Sequence, residues 1–382
     1  MSSPPQVDVD SLSERVRRLG LEPVVEAAAG TRVYLVGGAV RDLLLGHERT
    51  DLDVAVEGDA AAVGRRLGES IRAHERFRTA SVRLDGLVVD LATTRSESYP
   101  YPGALPEVRP AGLEEDLARR DFTINAMAVP LAGESRLIDP HGGAADLGEG
   151  VLRVLHSSSF ADDPTRAVRA ARYAARFGFA LEPETERLLD DADLRSVSRD
   201  RVEGELMKLA AERRPRRGFE LLEEWRLMEL DGDPALVELV VELMEAEMWS
   251  ELADRSTVVF AAATGRLPAR GRPEDAGDPL PRARRLASAA PSRPSEAVEL
   301  AEGHSGVELI LARALGADWL DRYVSDWQHV AIDIRGEDLL AAGVPEGPAI
   351  GHGLAAALRM KLDGEISGRE EELRAALEVA RE

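Results

Sequence analysis

Two aspartates, Asp51 and Asp53, flank a single leucine at the start of the run DLDVAV, and their spacing suits chemistry on a phosphate. Side chains alternate along a strand, so both carboxylates leave one face, roughly 6–7 Å apart along the backbone. Acids so placed repel each other unless a cation lies between them. Mg²⁺ at a site of phosphoryl or nucleotidyl transfer takes such hard oxygen donors beside the substrate phosphates. The plainer readings are a solvated strand edge or a turn cap at Asp51. Upstream, LVGGAVRDLLLG sets Gly37 and Gly38 between a strand and a helix. A backbone without Cβ can approach a phosphate there, with the free N–H groups of the helix start facing it. Arg41, one turn further on, can add a charge-assisted contact. Alone, the glycine pair also reads as a tight turn with close packing. A third acid, Asp90, ends the apolar run LVV. An aspartate in that setting is costly unless paired or ligating. It either completes the site, orients its ligands, or is satisfied by Arg95 or a backbone N–H.

Two further clusters carry positive charge. In DLARRDFTINAMAV, the polar Asp121, Thr123 and Asn125 alternate with the apolar Phe122, Ile124 and Ala126. That pattern predicts a strand over 121–129 whose polar face lines a cleft. Arg119 and Arg120 at its mouth suit a triphosphate and Asp121 a ribose hydroxyl, although such a group also serves as a surface ion-pair cluster. In ADDPTRAVRAARYAARF, Asp163 and Pro164 read as N-cap and first helical residue. Arg166, Arg169, Arg172 and Arg176 follow at helical spacing on one face. No acid in that stretch pairs with them, so they repel unless an anion, or acids from elsewhere in the chain, neutralise them. Arg201, Glu205 and Lys208 are spaced for ion pairs along a helix. The cluster Arg213, Arg214, Arg216 and Arg217 suits either an RNA backbone or the C-terminal dipole of a helix.

The elements that must position these groups change character along the chain. A tail to about Pro5 reads as disordered, and short amphipathic helices occupy 11–19 and the stretch before Gly30. From Thr31 to about Gly148 the pattern is α/β: strands at 32–36, 51–56, 81–84 and 87–92, the last two a hairpin around Asp85-Gly86, with a helix at 39–46. The segment 99–112 (YPYPGALPEVRPAG) is a loop. After Gly150 the pattern is helical, with a Pro-, Gly- and Arg-rich bridge at 264–294, a loop at 343–353 and amphipathic helix in the final stretch.

The 382 residues carry a net charge of −22 and no cysteine, which excludes disulfides and thiolate metal sites. A strongly acidic chain argues at first against a nucleic-acid partner, but the charge is uneven. Residues 151–220 hold 14 basic and 13 acidic residues, so the whole deficit lies elsewhere. Neither a secretory signal nor a run of 18 apolar residues is visible, so a soluble, cytoplasmic protein without a membrane span is expected.

In order and spacing, YLVGGAVRDLLLG, DLDV, VDLATTR, DLARRDFTINAMAV, LIDPHGGAADL, DDPTRAVRAARYAARFGF and RVEGELMKL resemble the class II tRNA nucleotidyltransferases, the CCA-adding enzymes and their bacterial poly(A) polymerase relatives. The matching stretches cover roughly 31–215. The resemblance implies an α/β nucleotidyltransferase head, a polymerase-β-like mixed sheet with helices, followed by an all-α neck, body and tail. The corresponding division is an N-terminal extension to residue 30, a head at 31–148, a neck at 149–217, and an RNA-binding body and tail at 218–382. It further implies that Asp51 and Asp53 hold two Mg²⁺ ions; Asp90, read from its place on a separate strand, stands as the third catalytic acid. Gly37, Gly38, Arg41, Arg119, Arg120, Asp121 and Asn125 would bind the phosphates and ribose of CTP or ATP. Asp163, Arg166, Arg169 and Arg172 would pair with the incoming base. The expected reaction is attack of a tRNA 3′-hydroxyl on the α-phosphate, with pyrophosphate released. Two departures stand out: Asp162 replaces the usual Glu of the Glu-Asp pair, and His141 reads as a turn residue. Full CCA, CC alone, A alone or a poly(A) tail remain open as products. The loop YPYPGALPEV resembles members that divide C and A addition between two enzymes. The rival from another class is a non-catalytic RNA- or nucleotide-binding protein.

Overall fold

The computed structural model describes residues 6–47, 51–68, 70–74, 79–270 and 277–381, so the tail expected to be disordered to Pro5 lies outside the described residues. The chain divides into two compact units, residues 1–205 with 212–229, and residues 206–211 with 230–382.

The first unit is built on a mixed six-stranded sheet in the order β3-β4-β5-β2-β1-β8. Its strands are β1 (Val33–Val36), β2 (Asp51–Val56), β3 (Ser70–His74), β4 (Thr79–Leu84), β5 (Leu87–Thr93) and β8 (Ala128–Pro130), while β6 (Arg95–Ser98) and β7 (Glu107–Pro110) form a separate antiparallel pair. Only β2 and β5 run parallel; the other neighbours are antiparallel. The hairpin expected at Asp85-Gly86 closes β4 onto β5, both turn residues adopting positive φ (44° and 87°) as a tight two-residue turn requires.

Helices α1 (Leu12–Arg18), α2 (Glu22–Ala28), α3 (Gly38–Leu44), α4 (Ala60–Arg66), α5 (Leu113–Ala118) and α6 (Gly143–Glu149) accompany the sheet. Tyr34, Val36, Ala55 and Ala128 pack against Leu113 and Leu117 of α5. Ala55 shares its sheet face with Asp51 and Asp53 by strand alternation. Helix α5 therefore covers the far end of that face, and its last turn leads directly into Arg119 and Arg120.

The unit continues through a parallel pair, β9 (Val151–Leu152) with β10 (Ala180–Leu181), and through α7 (Ser159–Asp162), α8 (Thr165–Phe177), α9 (Pro183–Arg187), α10 (Arg199–Ala210) and α11 (Arg216–Glu224). The division into units falls within α10.

The second unit is helical: α12 (Pro234–Leu243), α13 (Glu247–Ser250), α14 (Arg255–Thr264), α15 (Pro279–Ala287), α16 (Pro294–Ala301), α17 (Gly306–Ala314), α18 (Leu320–Ser325), α19 (Gly336–Ala341), α20 (Pro348–Leu362) and α21 (Arg369–Ala380). Proline stands in the first turn of several of these helices, where its missing N–H costs nothing. The fully buried Glu372 accepts from the Asp333 N–H at 2.6 Å and forms an ion pair with Lys361 Nζ at 2.7 Å, tying the turn before α19 to α20 and α21.

Several expectations are corrected: the segment 99–112 is not all loop, since Glu107–Pro110 form β7, and the bridge placed at 264–294 contains α15 (Pro279–Ala287). Residues 121–129 do not form one strand: Thr123–Asn125 make a 3₁₀ turn and only Ala128–Pro130 join the sheet. The period-2 pattern arises because this turn is buried on every side, polar residues included, with the Thr123 hydroxyl donating to Asp146 at 2.6 Å. The loop placed at 343–353 ends earlier, because Pro348 begins α20.

Candidate active site

A cleft of about 850 Å³ opens in the first unit. Its floor is the sheet face left uncovered beyond α5. Asp53 on β2 and Asp90 on β5 are direct neighbours in parallel register, both exposed and both lining the cleft. Asp51, two residues earlier and likewise exposed, shares that face but is not among the lining residues. Leu52 and Val54 turn into the core, which fixes the acids outward. Of the partners considered for Asp90, neither Arg95 nor a backbone amide takes the role: the Ser81 hydroxyl on β4 donates to its carboxylate.

Gly37 forms the turn into α3 at φ 68°, ψ −133°, and a Cβ there would fall 2.5 Å from Arg120 Nη1. Glycine is thus required by the backbone conformation, and any side chain would also displace the Arg120 guanidinium. Gly38 lines the cleft as the first residue of α3. Arg41 is 2% exposed and committed inside the protein. It donates to Asn125 Oδ1 at 2.6 Å and to Asp42 at 2.7–2.8 Å, and lies over the rings of Phe177 (4.7 Å) and Tyr173 (5.3 Å). The Asn125 amide passes the network on, donating to Asp121 Oδ1 at 3.0 Å.

The arginines are more fully paired than their own stretch suggested. Arg169 meets Asp121 at 2.7 Å, Arg172 meets Glu212 at 3.5 Å and Glu205 at 4.0 Å, and Arg176 meets Glu212 at 3.7 Å and Asp42 at 3.8 Å. Of the two neutralising partners considered, the structure shows acids from elsewhere in the chain supplying the countercharge. Burial disfavours the charge on Asp121, but Arg169, the Asn125 amide and Arg166 outweigh it and hold the carboxyl below its ordinary range. Arg169 is correspondingly held protonated: burial works against its charge, but Asp121 together with Tyr173 and Glu205 outweighs it. Arg166, buried, donates to Ser159 Oγ at 2.6 Å and to the Arg119 carbonyl at 2.7 Å.

Asp163 accepts from the backbone N–H of Thr165 at 3.1 Å, which makes it the capping side chain read from the sequence, although the helix itself begins at Thr165. The same oxygen receives Arg201 Nη2 at 2.9 Å. Arg201 therefore serves the cleft in addition to any pairing along its own helix. Arg119 and Arg120 sit on the cleft wall, oriented by the 2%-exposed Asp116 at 2.7 and 3.0 Å. Burial works against that acid's charge as well, yet Arg120 and Arg119 keep its carboxyl below the usual range. Glu97 adds a contact to Arg119 at 2.9 Å. Tyr99, pushed up to about 12 by burial and then by Glu97, donates to that carboxylate at 3.1 Å.

Sequence reading missed Asp116, Glu97, Tyr99 and the cleft-facing role of Arg201. For Asp116 a signal existed, three and four residues before the two arginines in EEDLARR; for Glu97 and Arg201 the partners that tie them to the cleft wall, Arg119 and Asp163, are distant in sequence and left none. Arg216 and Arg217, by contrast, are half-exposed and pair with Glu220 and Glu224 along α11, outside the cleft lining. Arg213 and Arg214 are exposed just before it.

Residues 33–153 match the family described as Poly A polymerase head domain. The A-adding tRNA nucleotidyltransferase of Geobacter sulfurreducens is 35% identical over 91% of this chain, which spans 45% of that protein. The CC-adding tRNA nucleotidyltransferase of Deinococcus radiodurans is 33% identical over 91% of this chain and 89% of its own length. This chain belongs to the tRNA nucleotidyltransferase family. A solved complex of a CCA-adding enzyme with ATP superimposes on 98% of the chain and 99% of its own, with a TM-score of 0.78 and 30% identity. The mixed sheet followed by many helices is thus a nucleotidyltransferase head with helical extensions. The chain spans about half or less of the length of the A-adding tRNA nucleotidyltransferases it matches. Among the described residues no helix is long and apolar enough to cross a membrane.

Proposed function

We propose that this chain adds C or A nucleotides to the 3′ end of tRNA from CTP or ATP, releasing pyrophosphate, as a cytoplasmic enzyme. The observation that carries the proposal is Asp53 beside Asp90 on the floor of a cleft whose opposite wall is arginine. The names of the relatives support tRNA as substrate, and the ATP complex supports a nucleoside triphosphate.

Asp51 and Asp53 would hold magnesium, with Asp90 beside them. Two outward carboxylates suit an ion that completes its shell with water and substrate phosphates. When bound, magnesium supplies neutralisation of phosphate charge and a lowered pKa for a nearby hydroxyl. The chain's own groups do the rest. Arg120 and Arg169, fixed by Asp116 and Asp121, face the triphosphate, with Gly37, Gly38, Arg119 and Asn125 shaping the same wall. Arg41 braces that wall from within. Asp163, with one oxygen taken by Thr165 and Arg201, presents its edge to the base together with Arg166 and Arg172. The RNA 3′-oxygen bonds to the α-phosphorus, the bond from that phosphorus to the β-phosphate bridge breaks, and no protein nucleophile takes part. In the same reading 31–148 is the head, 149–217 the neck and 218–382 the body and tail, with Arg213, Arg214, Arg216 and Arg217 along the RNA path.

The test incubates the chain with tRNA lacking its 3′ nucleotides, Mg²⁺ and CTP, ATP or both. Product length separates CCA, CC, A and poly(A) products from no reaction. The variant Asp53→Asn, folded as judged by its melting curve, is expected to lose at least ~10³-fold in rate, on the scale of removing one preorganised electrostatic contact to the reacting phosphate. Turnover within tenfold of wild type would remove the carboxylates from the mechanism.

A further inference from the structure

The segment from Tyr99 to Pro106 is irregular yet firmly held. The Gly103 N–H donates to the Ala161 carbonyl at 3.1 Å, and its own carbonyl receives Arg201 Nη1 at 3.0 Å. Gly103 adopts φ +74°, and a Cβ there would fall 2.3 Å from Ser196 Oγ and 2.8 Å from the Ser196 carbonyl, so the loop lies directly on that residue. Tyr99 turns inward onto Glu97, and Ala104 is buried, its N–H closing a turn onto the Tyr101 carbonyl at 3.1 Å.

From this fixed loop two large apolar side chains stand in water: Tyr101 at 67% exposure and Leu105 at 75%. A single exposed leucine needs no explanation. Here, however, an aromatic and a leucine flank one turn, and Leu105, Pro106 and Tyr99 form part of the cleft lining. The remainder of that lining is dominated by arginines and acids, which suits phosphates and offers little to the flat face of a base. On the adjoining β7, Arg109 (78% exposed) pairs with Glu107 (64% exposed) at 4.0 Å, so that strand adds no net charge beside the patch.

We propose that Tyr101, backed by Leu105, is the platform on which an unpaired base at the 3′ end of the acceptor RNA stacks as its hydroxyl enters the cleft. The inference rests on the function proposed above. A single strand presents a π-face at every base, and aromatic side chains bind that face without regard to sequence. A rigid loop suits the task, because a platform already ordered costs no entropy on binding. Continuity with a cleft whose lining holds more arginines than acids favours a polyanion with exposed bases over an apolar protein partner.

Kinetics with saturating nucleotide and varied RNA test the proposal, alongside filter binding of the same RNA without nucleotide. Tyr101→Ala is expected to raise the RNA KM and Kd by ~5- to 100-fold, the range for loss of one base–aromatic stack. The nucleotide KM and kcat at saturating RNA should stay within about twofold, and Tyr101→Phe should restore the RNA KM. Because Tyr101 is largely exposed, the melting temperature should not move. Unchanged RNA KM in Tyr101→Ala, or a Tyr101→Phe variant as poor as Tyr101→Ala, overturns the platform while leaving the proposed reaction intact. A wild-type chain that binds RNA through Tyr101 yet never extends it overturns the reaction and leaves the platform standing.

Discussion

Replacing Asp121 by asparagine tests whether the arginine wall is held by buried acids. The Asp121 carboxylate is 4% exposed, forms an ion pair with Arg169 at 2.7 Å, and accepts from the Phe122 N–H at 2.9 Å and the Asn125 amide at 3.0 Å. Removing one partner of a fully buried pair costs about 3–5 kcal/mol. The Arg169 side chain is 32% exposed toward the cleft, so water recovers part of its solvation, and ~2–3 kcal/mol is the expected loss. In a unit of this size each kcal/mol moves the melting temperature by ~2–4 °C, so calorimetry should find the first unit's transition lowered by ~5–10 °C. Because the chain has two units, that transition must be resolved from the second. The pH dependence follows from the depressed folded-state pKa. The carboxylate's contribution is complete above its unfolded value near ~4 and is lost as pH falls through the lower folded value. The gap between wild type and variant should therefore be constant at neutral pH and close in acid. A shift under about 2 °C at pH 7, or a gap that persists undiminished well below pH 3, would refute the argument.

Three further outcomes are expected. Arg201→Ala removes the hydrogen bond to Asp163 and the one to the Gly103 carbonyl, and should raise the nucleotide KM by ~10-fold or more. An unchanged KM would show that Asp163 needs no help in facing the cleft. Gly353→Val should destabilise the second unit by ~1–3 kcal/mol, because a Cβ at 353 already falls 2.5 Å from the Ala376 carbonyl and forces α20 from α21. Urea unfolding followed on that unit checks this. The loss of turnover in Asp53→Asn should not be relieved by raising nucleotide or RNA concentration, because the carboxylate acts after both are bound.

Much of the head could be read from local pattern. The Asp-x-Asp strand, the glycine turn, the β4–β5 hairpin and the capped arginine helix each depend on residues within about one helical turn or one strand pair, where spacing dictates geometry. What could not be read depends on chain distant in sequence. The alternation in 121–129 imitated a strand because Asp121 and Asn125 are polar for the sake of Arg169 and Arg41, not of solvent. The arginine stripe looked unneutralised because Glu205, Glu212 and Asp42 approach it from other elements. Buried polar partners follow no period, so a sequence pattern shows that such a residue exists without showing whom it serves.

This arrangement also reconciles a net charge of −22 with the proposed triphosphate and RNA substrates. Among the described residues the cleft lining holds nine arginines against six acids, a local excess of positive charge in an acidic protein. Most of the acids in the wall are not competitors for phosphate. Asp116 and Asp121 are nearly fully buried behind the guanidinium groups, so they fix orientation while the arginine edges face the cleft. The acids on the floor, Asp53 and Asp90, are exposed instead. A polyanion entering the cleft thus meets oriented cations on one side and carboxylates only where a divalent ion can bridge the two. The overall negative charge, screened beyond ~8 Å at physiological salt, slows nonspecific binding of nucleic acid more than it weakens binding inside the cleft.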